Sequence, residues 1–236
     1  MKPFFETPHC ESCNSRLSNV FCNLDDEQLK ELDVEKACNI YKKGQLIFFE
    51  GNKPQGLFCI NRGKVKIFQT GIEGKEQILR LAKEGDILGY RTLISGGSYS
   101  ASAMAMDDSS ICMVPKKTFF DLLQANSELS TRVMQLLSQD LKDAEHRITE
   151  LAQKPVRERV AETILMLKEF YGLETDNQTI NALISRDDIA NITGTATETA
   201  IRVLSDFKSE KMIDLKGKKI RVLNDSLLLR AANVYD

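Results

Sequence analysis

The chain changes texture sharply at Pro115. From about Ile40 to Val114, apolar residues come in short runs cut by glycine: GQLIFFEG, GLFCINRG, KVKIFQTG, QILRLAKEGDILG and SASAMAMDDSSICMV. Such runs, most of them closed by a glycine turn, describe an all-β barrel or roll. Beyond Pro115, KKTFFDLLQANSELSTRVMQLLSQDLKDAEHRITELAQ holds no glycine or proline and repeats at helical spacing. A period of two and a period of 3.6 bury different faces, so the two stretches build different architectures.

Within the helical stretch, Met134, Leu137, Leu141, Ala144, Ile148 and Leu151 fall three or four residues apart in strict alternation. That is a heptad seam, with polar residues at most other positions. A seam can pack on its own domain or on a second copy. Strict alternation gives a narrower stripe than a core helix needs, and favours a two-stranded dimer helix. Pro155 then opens VRERVAETILMLKEFYG, and Gly172 closes it. Proline at the start and glycine at the end is the expected helix punctuation.

SRDDIANITGTATETAIRVLSDFKSEKMI reads as helix, turn, helix. Ser185 can cap the first helix, with Asp188 three residues on as in a capping box. Ile189 and Ala190 face inward and Gly194 makes the turn. The second helix runs from Ala196 or Thr197 to about Glu210, with Ala200, Val203, Leu204 and Phe207 on its apolar face. Thr197, Glu198, Ile201 and Arg202 are left on the outer side near its start. Glu198 and Arg202 are four apart and share a face. They could form a surface ion pair, or they could meet base edges, Arg202 donating to guanine and Glu198 accepting from cytosine. MIDLKGKKIRVLN follows as a hairpin whose turn carries Lys216, Lys218 and Lys219, a wing suited to phosphate contacts.

A net charge of −2 excludes bulk electrostatic attraction to nucleic acid, so any binding needs a local basic patch. No apolar run approaches a membrane span, and the first ten residues show no secretory h-region, so a cytoplasmic protein without membrane contact is expected. There is no P-loop, no dinucleotide motif and only two histidines, so an enzyme is not expected. In a reducing compartment, six cysteines are not a disulfide framework. Three of them, Cys10, Cys13 and Cys22, cluster in HCESCNSRLSNVFC, ahead of a short helix in NLDDEQLKELDVE that Asn23 or Asp25 can cap. Metal is favoured there over a disulfide. His9 could replace a thiolate in a structural zinc site, although a lone histidine is more often a solvated loop residue. Cys38 and Cys59, among apolar neighbours, read as buried core thiols.

The order of β-roll, long helix and winged helix-turn-helix resembles the CRP/FNR transcription regulators over nearly the whole chain. The carrying stretches are GLFCINRGKVKIF, GDILGYRTLISGG, RERVAETIL and SRDDIANITGTATETAIRVLSDFKSEKMIDLKGKKI. The implied fold is α+β: an N-terminal β-roll of the cyclic-nucleotide-binding-like jelly-roll type, a long dimerisation helix and a C-terminal winged helix-turn-helix. The implied domains are a cysteine-rich segment at 1–30, a sensor β-roll at 31–125, the dimerisation helix at 126–153 and the DNA-binding domain at 154–236. The resemblance implies a homodimer that binds a two-fold symmetric double-stranded DNA operator and recruits or blocks RNA polymerase. It also supplies the Glu198 and Arg202 pair as readers of a G·C pair in a TGA-like half-site.

The family's cyclic-nucleotide members carry Glu after GDxxG and an Arg-Ser pair downstream. Here Tyr90 stands in the Glu position, Tyr99 precedes Ser100, and Arg91 is out of register. A buried phosphate without a cation binds poorly, so cyclic nucleotide is not the expected signal. The iron–sulfur branch uses three N-terminal cysteines and a fourth at the end of the β-roll, before a Pro-led helix. Cys10, Cys13, Cys22 and Cys112 match that set and imply a 4Fe–4S cluster that senses oxygen, nitric oxide or redox state. Eight residues separate Cys13 from Cys22, more than that branch has, and Cys59 is the alternative fourth ligand. The other readings are a small-molecule effector pocket with no cluster, and structural zinc.

Overall fold

The computed structural model describes residues 8–71 and 74–233. It divides into two compact units, Met1–Lys142 and Asp143–Asp236.

The first unit opens with a short 3₁₀ turn at Cys10–Ser12, then α1 (Asn14–Leu17) and α2 (Asp26–Glu35). Asp25 caps α2 by accepting from the Gln28 amide, and the Gln28 side chain accepts from the Asp25 amide. This settles the choice between Asn23 and Asp25.

Eight strands follow: β1 (Ala37–Tyr41), β2 (Leu46–Phe48), β3 (Gly56–Arg62), β4 (Lys64–Thr70), β5 (Glu76–Lys83), β6 (Ile87–Leu88), β7 (Ser102–Ala105) and β8 (Ser109–Pro115). They pair antiparallel in two four-stranded sheets, β1-β8-β3-β6 and β2-β7-β4-β5. Ile60, Val65, Ile67, Leu88, Ala103 and Ile111 form a core drawn from both. Gly56 sits where β3 meets the end of β8; a Cβ there would lie 2.1 Å from the Val114 carbonyl oxygen, so only glycine fits.

A second core joins Phe21, Leu32, Leu57, Phe119, Leu129 and Val133. It fastens the N-terminal helices and the helices after β8 to the β1-β8-β3-β6 sheet. A short helix, α3 (Tyr90–Ser95), interrupts the strands and was not legible as one.

The helical stretch after Pro115 is two helices, α4 (Lys116–Ala125) and α5 (Ser127–Gln153). Asn126 divides them: its amide closes on the Leu122 carbonyl and its side chain accepts from the Leu129 amide. That exchange of backbone for side-chain partners ends one helix and starts the next.

In the second unit, α6 (Val156–Tyr171) lies between Pro155 and Gly172, as expected. It packs against α7 (Arg186–Thr193), α8 (Thr197–Ser209) and α9 (Asp225–Ala231). The hairpin of β9 (Ile213–Lys216) and β10 (Lys219–Val222) completes the unit. Val160, Ile164, Ile189, Ala200, Leu204 and Phe207 are buried together with Ile213 and Ile220. Each large aliphatic or aromatic side chain so buried contributes about 1.5–3 kcal/mol.

Candidate nucleic-acid interface and thiol-lined cavity

The helix pair α7–α8 is assembled by local chemistry. Ser185 Oγ accepts from the Asp188 amide at 3.0 Å, and Asp188 accepts in return from the Ser185 amide at 3.1 Å. Gly194 ends α7 in the left-handed region at φ 72°, where a side chain would be strained. Arg159, buried on α6, donates to the Thr193 carbonyl at 3.2 Å and to the Lys154 carbonyl at 2.6 Å. It thereby satisfies carbonyls at the ends of two helices. Nothing in the stretch RERVAETIL marks Arg159 for this work.

On α8, Ala200, Val203, Leu204 and Phe207 are buried, and Glu198, Ile201 and Arg202 are exposed. Among the described residues neither Glu198 nor Arg202 has an ion-pair or hydrogen-bond partner, so the surface pair does not form. Thr197 is partly buried, and its hydroxyl donates to Asp187 at 2.8 Å, joining the starts of α7 and α8.

In the wing, Lys216 and Lys218 are exposed, whereas Lys219 is paired with Glu174 at 2.6 Å. Arg186 donates from Nη2 to the Gly217 carbonyl at the hairpin tip at 3.1 Å, while its buried Nη1 has no partner. It therefore ties the start of α7 to the tip of the wing. Nothing in its position in the sequence distinguished it from an ordinary first-turn residue.

The cysteines are organised around a cavity of about 40 Å³ in the first unit, lined by Cys10, Cys13, Cys59 and Cys112. Lys36 donates to Cys10 Sγ at 3.2 Å and is paired with Asp33, which accepts from the Cys10 amide at 2.7 Å. Burial pushes the Cys10 thiol up, against the pull of Lys36. Burial also pushes the Cys59 thiol up, and the neighbouring Cys10 and Cys13 add to it. Burial alone would raise Asp33, but hydrogen bonds from Lys36, the Cys10 amide and His9 hold it well below the usual carboxylate range.

The long gap between Cys13 and Cys22 is folded, not slack. Arg16 donates to the carbonyls of Cys10 at 3.0 Å, Phe21 at 3.3 Å and Cys22 at 3.0 Å. His9 is an exposed residue against Asp33 at 3.1 Å.

Two expectations about the cysteines need correction. Cys112 is not a free thiol: its sulfur is bonded to Cys38. Cys38 is accordingly no buried core thiol; it is half-exposed and disulfide-linked. The cause is register. Cys38 and Cys112 are direct partners across β1 and β8, which sequence separation conceals. Cys10, Cys13, Cys22 and Cys59 are free. Cys22 does not line the cavity. In this conformation the four cysteines expected for a cluster do not fit one. Among the described residues no group of three or more His, Cys, Asp or Glu side chains is arranged to hold a metal ion.

Residues 39–126 match the cyclic nucleotide-binding domain family, and residues 158–231 match the Crp-like helix-turn-helix domain family. The fumarate and nitrate reduction regulatory protein of Escherichia coli K12 is 30% identical over 227 residues, covering 95% of this chain and 90% of that protein. The chain is a CRP/FNR-family regulator. The protein of the same name from Vibrio cholerae is 29% identical over 229 residues, covering 96% of this chain and 91% of its own. In fold, the regulator is similar to a CRP/FNR-family structure from Eubacterium rectale (TM-score 0.77, 19% identity, 91% of this chain and 98% of that one). It is also similar to FixK2 from Bradyrhizobium japonicum (TM-score 0.74, 23% identity, 85% and 99%). The family is one of DNA-binding transcription regulators, not enzymes.

In this CRP/FNR-family regulator the turn at Gly89 carries no acidic side chain into the roll. Tyr90 is buried and its hydroxyl donates to Asp140 on α5, where Arg80 also binds at 3.1 Å and Arg91 lies at 3.7 Å. Tyr99 stacks on Phe48 at 4.1 Å. The cavity these residues line is about 40 Å³, room for a water or two and not for a nucleotide. Along α5 of the regulator, Met134, Leu141 and Ile148 are 59%, 62% and 66% exposed, Ala144 and Leu151 are also exposed, and Leu137 packs partly on the second core. The seam is therefore mostly an uncovered apolar stripe. No helix among the described residues is long and apolar enough to cross a membrane.

Proposed function

We propose that this regulator is a cytoplasmic homodimer, paired through Met134, Leu137, Leu141, Ala144, Ile148 and Leu151, that reads a two-fold symmetric operator and acts on RNA polymerase. In this reading Glu198, Ile201 and Arg202 meet base edges. Lys216, Lys218 and Lys219 meet phosphates from the wing, and Thr197 sits at the start of the reading helix beside the bases. The domain bounds 1–30, 31–125, 126–153 and 154–236 belong to the same reading. The observation that carries it is the unspent charge of Glu198 and Arg202, one turn apart on the exposed face of a helix whose other face is fully buried. Exposed apolar residues at heptad spacing support the pairing.

The signal in this reading is oxygen, nitric oxide or redox state, received at Cys10, Cys13, Cys22 and Cys112 once Cys112 is released from Cys38. A 4Fe–4S cluster is the group such a thiolate set would hold, and it would supply oxidant lability. The cavity lined by Cys10, Cys13 and Cys112 supports this, as does the absence of an acidic side chain or a free cation from the turn at Gly89 where a cyclic nucleotide would sit. The test is an absorption spectrum of anaerobically purified protein with iron and sulfide assays. Brown protein bleached by air is expected. Colourless protein with stoichiometric zinc would defeat the cluster.

A further inference from the structure

Three cysteines lie in one row across a single sheet. Cys112 on the inner strand β8 has Cys38 as its direct partner on β1 and Cys59 as its direct partner on β3. Directly opposed residues of antiparallel strands project on the same face with their side chains close together. The two flanks of Cys112 are unlike. Both neighbours are partly buried, but β1 is an edge strand, whereas β3 is interior and Cys59 lines the cavity with Cys10, Cys13 and Cys112. Cys112 itself is 6% exposed. The disulfide is made to the outer neighbour and leaves the inner one free.

We propose that Cys38 and Cys112 are a reversible redox pair, in which a thiol on an edge strand ties up the Cys112 sulfur at the wall of the thiol-lined cavity. The oxidant class is a low-molecular-weight disulfide. The Cys38 sulfur on the edge strand attacks it, a mixed disulfide forms at Cys38, and one small thiol leaves. The Cys112 sulfur then attacks Cys38 Sγ, the Cys38–Cys112 bond forms, and the second small thiol leaves. Two protein thiols and one small disulfide become one protein disulfide and two small thiols, each leaving thiolate taking a proton given up by the protein. Excess small thiol reverses both steps. Disulfides in reducing compartments are mostly of this transient, sensing kind. The pairing stands on strand register alone. Its consequence for a metal group rests on the function proposed above.

The test equilibrates the full metal-free chain, without oxygen, in glutathione buffers of graded ratio. Free thiols are then alkylated and mapped by mass spectrometry. Cys38 and Cys112 are expected to lose alkylation together, the bonded-to-free ratio rising about tenfold for each tenfold rise in glutathione disulfide over squared glutathione. Cys59→Ser should leave that curve in place. Cys38→Ser and Cys38→Ala should each keep Cys112 alkylatable throughout, with circular dichroism confirming the fold. Cys112 alkylated at every ratio, or bonded to Cys59 in the parent chain, would overturn the proposal. Ferrous iron and sulfide are then offered to the reduced and the bonded chain. Several-fold less iron in the bonded chain, with no such difference in Cys38→Ser, is expected. Equal uptake by both forms would show that the bond does not block Cys112. A reduced chain that takes up no iron would overturn the cluster, while the pairing is decided by the thiol map.

Discussion

Arg202 and Lys218 both present a positive charge to solvent, yet their settings assign them different work. Arg202 projects from a rigid helix beside Glu198, so its head can find a fixed donor pattern on a base edge. Arg202→Ala is expected to cost roughly 1–3 kcal/mol per half-site and to relax one base preference, as read by binding selection on randomised half-sites. Unchanged preference with uniformly weaker binding would make Arg202 a phosphate clamp. Lys218 sits on a hairpin turn, where a point charge is placed but not oriented. Lys218→Ala should weaken all sequences alike and reduce the salt slope by about one phosphate contact. Lys219→Ala should change the slope less, because Lys219 is already neutralised by Glu174. Asp176 offers a stability counterpart. The Thr179 hydroxyl and the amides of Thr179 and Gln178 hold its carboxyl at about 2, below an ordinary 3.8. A pKa depressed by folding adds stability above the unfolded value that is lost as pH falls through the folded one. Asp176→Asn should therefore flatten the fall in melting temperature between about pH 4 and pH 2.

Elements whose ends carry their own chemistry were readable from the sequence, and those fixed by distant partners were not. Ser185 with Asp188, Pro155 and Gly172 gave the starts and stops of α6 and α7 because each cap is made within a few residues. Ser185→Ala should cost about 1 kcal/mol of stability, measured by denaturant unfolding, because the Asp188 amide loses its acceptor. The glycine-bounded runs gave the β-roll, since turns also are local. The break at Asn126 was missed because Asn within a polar helical stretch carries no warning of its capping role. α3 was missed because Gly89 and Gly96 frame six residues that also read as a strand end. The Cys38–Cys112–Cys59 row was wholly illegible. Cys38 and Cys112 are 74 residues apart, and a one-residue slip in register would send Cys38 to the other face. The candidate interface was thus legible in its reading helix and partly in its wing. Arg186 gained its place from the fold of the hairpin, not from its neighbours in the chain.

For the whole molecule, the weight falls on what pairing does for recognition. One reading helix addresses only a few base pairs, and phosphate contacts position the protein without reading sequence. Two copies joined along α5 turn the second half-site contact into an intramolecular event at high effective concentration. Affinity then depends on the seam as strongly as on the reading face. The exposed apolar side chains of Met134, Leu141 and Ile148 can be relieved of water by a second copy, and none of the six seam positions carries a charge to oppose it. Ile148→Asp would place two carboxylates against each other in a desolvated seam, which favours separation. Sedimentation is expected to give a monomer mass for this variant and a dimer mass for the parent. On a palindromic operator with half-sites about one DNA turn apart, the variant should bind on the order of 10²-fold more weakly. On a single half-site the two proteins should bind alike, since α8 and the wing lie outside the change. A variant that stays dimeric would show that the seam packs within one chain. A monomeric variant with full operator affinity would show that recognition does not use two-fold symmetry.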